Sequence, residues 1–69
     1  MQQLIDAIDL LRGRFARLRG KQPLQTLEAN VGIHRNTLAV FVRGGNVTQT
    51  TLHAIEAWCD REEQTHAHR

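Results

Sequence analysis

The feature that most constrains how this chain can fold is a glycine, Gly32, lodged between two short apolar patterns. Leu27 and Val31 stand before it; Ile33, Leu38 and Phe41 stand after it. Apolar side chains three or four positions apart share one face of a helix. Two short helices meeting at a tight turn satisfy the pattern. Gly32 then takes the position where the backbone turns left-handed and a side chain is penalised. The first helix of the pair starts around Pro23 or Leu24, proline being suited to a first helical turn, and runs to about Asn30 or Val31. The second runs from about His34 to Arg43, and Gly44, Gly45 and Asn46 stop it.

The flanks read the same way. Over residues 2–19, Leu4, Ile8, Leu11, Phe15 and Leu18 form one helical stripe. Asp6 and Asp9 near its start and arginines near its end complement the helix dipole. Gly13 weakens this helix by about 1 kcal/mol relative to alanine without defeating the pattern. Downstream, Thr48 or Thr50 can cap a fourth helix with Leu52, Ile55 and Cys59 on its inner face. The last nine residues, REEQTHAHR, hold no apolar side chain except Ala67. They predict frayed helix and then disorder. The expectation is an all-α domain over residues 1–60 with a tail over 61–69.

Sixty-nine residues lie near the lower size at which a core stabilises itself. One cysteine excludes an internal disulfide framework, and no Cys/His spacing suggests zinc. On its apolar face, Cys59 reads as an inert buried thiol. His66 and His68 alternate in the tail and are a poor metal site; no cofactor is expected. No apolar run approaches the ~20 residues of a membrane span, and the acidic start lacks a basic leader. A cytoplasmic protein is expected. There is no nucleophile constellation, phosphate loop or carboxylate pair in a cleft, and no small-molecule ligand is evident, so an enzyme is not expected.

The net charge of +2 hides an asymmetry. Residues 1–45 carry seven Lys/Arg against three acids, and residues 46–69 carry two against four. Five cations and no acid fall in RGRFARLRGK, from Arg12 to Lys21. Such a run is either a solvated face or an attraction for a polyanion.

The second helix of the pair leaves His34, Arg35, Asn36, Ala39, Val40 and Arg43 outside its apolar set. Positions 35, 39 and 43 share a face, with 36 and 40 beside it. Arg35 suits bidentate contact with guanine and Asn36 contact with adenine or a phosphate, while Ala39 and Val40 suit close approach to a thymine methyl. Arg43, Thr37, Gln25, Arg12, Arg19 and Lys21 are candidates for phosphate contact. His34 is either an N-cap or a backbone contact.

The stretch TLEANVGIHRNTLAVFVRGG resembles the phage-repressor and Cro type (lambda-repressor-like) helix-turn-helix family. Leu27, Gly32, Ile33, Thr37, Leu38 and Gly44 fall on that family's pattern, and TLHAIEAW resembles its next helix. The resemblance covers about residues 24–58. It implies a compact bundle of four or five helices containing a helix-turn-helix that binds double-stranded DNA, in most members as a homodimer. One departure is Glu28, where the family usually has alanine because its two helices approach closely there. A two-fold dimer places its reading helices about 34 Å apart on a partly palindromic operator. Trp58, off the stripe of Leu52, Ile55 and Cys59, is either a core-edge residue or a dimer contact together with Leu52 and Ile55; Ile5 and Leu10 can join that contact. The function implied is a small repressor or autoregulator of a phage, prophage or compact operon. The alternative is a protein-interaction module, an antitoxin or polymerase-binding factor, using Glu56, Asp60, Glu62 and Glu63.

Overall fold

In the computed structural model, which describes residues 7–67, the chain folds as α1 (Ala7–Arg19), α2 (Leu24–Val31), α3 (Arg35–Val42) and α4 (Gln49–Ala67). No strand occurs among the described residues. Leu4, Ile5, Asp6 and His68 lie outside them, as does the side chain of His66. No helix among them is long and apolar enough to cross a membrane.

Local chemistry sets the ends. Pro23 is the residue before α2 rather than its first turn: its backbone is extended, and its carbonyl accepts from Thr26 and Leu27. Gly32 closes α2 at φ 84°, with its N–H on the Glu28 carbonyl. A side chain at Gly32 would meet open space, so glycine is required there by its backbone angle alone. Thr48 caps α4, its hydroxyl accepting from the Thr51 amide at 3.2 Å.

The core gathers Leu11 and Phe15 of α1, Leu27 and Val31 of α2, Leu38 and Phe41 of α3, and Ile55, Trp58 and Cys59 of α4. Phe15 is its centre. The Phe15 ring meets Phe41 edge-on at 5.8 Å between centroids and Trp58 at 5.4 Å, so one side chain joins three helices. Such edge-to-face pairs add about 0.5–1.5 kcal/mol beyond the area they bury. α1 packs chiefly on α4, and α2 chiefly on α3. All five apolar positions around Gly32 turn inward, Ile33 partly and the rest fully.

Two expectations for α4 are overturned. Its inner face is Thr51, Ile55, Trp58 and Cys59, with Leu52 only partly covered. Thr51 is buried because its hydroxyl is satisfied by that of Thr48 at 3.0 Å. Trp58 at 2% exposure and Ile55 at 0% are core residues of the single chain, so neither offers a surface to a second subunit. The second is its length, since α4 continues past Asp60 to Ala67. Polar tethers hold it. Arg14 on α1 binds Asp60 at 2.8 Å and Glu63 at 2.7 Å, and Arg61 reaches the Asn30 carbonyl at 3.4 Å.

Candidate nucleic-acid interface

α3 has eight residues, too few to be stable alone, so its position depends on what grips it. Leu38 and Phe41 anchor its inner side in the core. Its start is held by His34, whose Nδ1 accepts from the Asn36 amide at 3.0 Å. Its end is held from α1, where the Arg12 Nε donates to the Phe41 carbonyl at 2.7 Å. The same guanidinium lies over the Phe41 ring, 5.1 Å from its centroid, and also pairs with Asp9.

On the outer side, Arg35, Asn36 and Arg43 are exposed. Their side chains make no hydrogen bond or ion pair with any described residue. Ala39 and Thr37 are half-buried between them. Val40 is placed less freely than its sequence position suggests. It turns toward the chain after α3, where Gly45 donates to the Val40 carbonyl at 2.8 Å. A β-carbon at Gly45 would lie only 2.6 Å from the Val40 Cγ1.

Two shallow clefts flank this helix. One brings Gln25 and Glu28 of α2 beside His34. There Glu28 is half-buried and lines the cleft. The other brings Asn36, Thr37 and Val40 beside Asn46, Val47, Thr48 and Thr51. Asn46 and Thr48 were not among the sequence candidates; the signal for them was the turn-forming run ending in Asn46, which folds the chain back along α3.

No family model, curated protein or solved structure matches the chain.

The basic run on α1 is dispersed by the fold. Arg12 is engaged by Asp9 and Phe41, and the Arg19 Nε by the Gln22 carbonyl at 3.0 Å, so both serve the chain's own packing. Arg14 is shared between Asp60 and Glu63, and Arg17 approaches Glu63 at 3.8 Å. The hydrogen bonds that Arg14 donates to Glu63 and then to Asp60 push its guanidinium above its ordinary range. In return Arg14 holds the Glu63 carboxyl below the usual value. Lys21 remains exposed and its side chain makes no hydrogen bond or ion pair among the described residues, like those of Arg35 and Arg43. Cys59 is fully buried, and desolvation pushes its thiol up to about 11.

Proposed function

We propose that the chain is a sequence-specific DNA-binding transcriptional regulator in which α2 and α3 form a helix-turn-helix. One observation carries this: Arg35, Asn36 and Arg43, on and at the end of a braced short helix, have side chains with no bond among the described residues, while every arginine of α1 has one. Donors left unpaired along one helical face suit the major groove, whose base edges display distinct acceptor patterns. Arg35 and Asn36 read bases with Ala39 between them, Val40 lies at the edge of the contact, and Arg43, Lys21, Gln25 and Thr37 bind phosphate. The domain acts by occupancy, a homodimer covering promoter DNA as a small repressor or autoregulator.

With Ile55 and Trp58 in the core, the apolar side chains left for pairing include Leu10, 57% exposed, and the partly covered Leu52. A protein-interaction role through the acidic end has less support, because Asp60 and Glu63 are occupied by Arg14.

The test is binding of the purified chain to its own upstream DNA against a scrambled duplex at near-physiological salt. A preference of about 10³-fold or more is expected, with a protected length that reports one or two copies. Arg35→Ala should cost about 1–3 kcal/mol of that preference. Weak and equal binding to both duplexes would overturn the proposal.

A further inference from the structure

N-caps are ordinarily Ser, Thr, Asp or Asn. α3 instead starts on His34, whose Nδ1 accepts from the Asn36 amide at 3.0 Å. An imidazole nitrogen accepts only while it carries no proton, and the neutral ring has one such nitrogen. The cap therefore fixes the tautomer, with the single proton on Nε2 and the lone pair on Nδ1. Protonating the ring makes both nitrogens donors. Two N–H groups would then face each other across 3.0 Å, and a positive charge would sit at the positive end of the helix dipole. A hydroxyl or carboxamide cap has no such dependence.

We propose that His34 is a positioning residue of α3, effective only as the neutral Nε2–H tautomer, so that presentation of Arg35 and Asn36 is linked to the protonation of one side chain. This rests on the DNA-binding proposal in naming what is presented. The other end of α3 is held by Arg12, and arginine does not titrate in this range. His34 is exposed, and Glu28 on α2 is the charged group lining its cleft. Arg35 follows it on α3, and no charged residue of α1 or α4 lines that cleft. Histidine changes charge between about pH 5 and 8. The cap is present while the ring is neutral and is lost as pH falls.

The experiment uses the full chain, first without DNA. Ring-nitrogen NMR reports the His34 tautomer, and hydrogen exchange gives the protection factor of the Asn36 amide across this pH range. Wild type is compared with His34→Ser, which caps without titrating, and His34→Ala, which does not cap. Asn36 protection should fall with His34 titration in wild type, stay level in His34→Ser and be absent in His34→Ala. Affinity for the upstream duplex, taken relative to His34→Ser, should fall about fivefold from high to low pH, the factor an N-cap is ordinarily worth. A proton on Nδ1, or Asn36 protection that stays level while His34 titrates, overturns the proposal. If Asn36 follows His34 but no duplex is preferred at any pH, the positioning role stands and the DNA-binding proposal fails.

Discussion

Gly44 and Gly45 are adjacent in sequence, yet they are glycines for different reasons, and the difference can be measured. Gly44 has φ 95° and open space where a side chain would go. Gly44→Ala should therefore cost only the left-handed backbone penalty, about 1–2 kcal/mol. Gly45 has no such angle, but its added β-carbon would lie 2.6 Å from the Val40 Cγ1 and 3.1 Å from the Val40 carbonyl oxygen. Val40 is β-branched and stiff at χ1, and the Gly45 amide is already bonded to that carbonyl. Overpacking of this kind costs about 1–3 kcal/mol. Val40→Ala removes the offending methyl while losing about 1 kcal/mol of partly buried surface. In that background Gly45→Ala should become cheaper by about 1 kcal/mol, whereas Gly44→Ala should cost what it did before. Relief should be incomplete, because the carbonyl contact remains. The assay is urea unfolding of the three single and two double variants with wild type, supported by thermal midpoints, where 1 kcal/mol corresponds to about 4–8 °C in a domain of this size. If the Gly45→Ala cost is the same with and without Val40→Ala, to within about 0.3 kcal/mol, the strain does not lie at that methyl.

Other perturbations address the remaining parts of the structure. Arg14→Gln should raise amide exchange over residues 60–67 and leave the core amides protected, as hydrogen exchange can show. Because Glu63 sits below its ordinary value in the fold, its contribution is present above the ordinary carboxylate range and lost as pH falls through the lowered value; Glu63→Gln should flatten that acid limb of the stability curve. The Cys59 thiol should resist alkylation at pH 8 except at the rate of unfolding. Its raised value favours the protonated thiol in the fold, so stability should decline from about pH 9 toward about 11 and the decline should vanish in Cys59→Ala. Trp58→Ala should unfold the chain or cost about 3–5 kcal/mol; a chain that keeps its stability after that change would refute the core position of Trp58.

Most of the framework was legible in the sequence because it depends on periodicity and on single special residues. Gly32, Leu27, Val31, Leu38 and Phe41 are of this kind: each is apolar or glycine at a spacing that one local geometry explains. α4 was harder. Its inner stripe includes Thr51, whose hydroxyl counts as polar until Thr48 is known to satisfy it, and that omission left Trp58 off the stripe. Its length was hidden as well, since Asp60 and Glu63 are paired with Arg14, 46 and 49 positions away, and hydropathy carries no record of such pairing. The same pairing explains why the run from Arg12 to Lys21 overstated the basic surface. For Val40, the helical wheel gave a direction but not the return of the chain at Gly45.

The idle outer face of α3 also bears on how such a chain can diversify. Arg35, Asn36 and Arg43 are exposed and make no intramolecular side-chain bond among the described residues, so replacing them leaves the packing of Leu38 and Phe41 intact. Exposed substitutions of this type usually change stability by no more than about 0.5 kcal/mol. Copies of the gene can therefore vary at these three positions without first acquiring compensating changes in the core. A library randomised there should yield folded proteins at nearly every member, each differing in what its surface contacts.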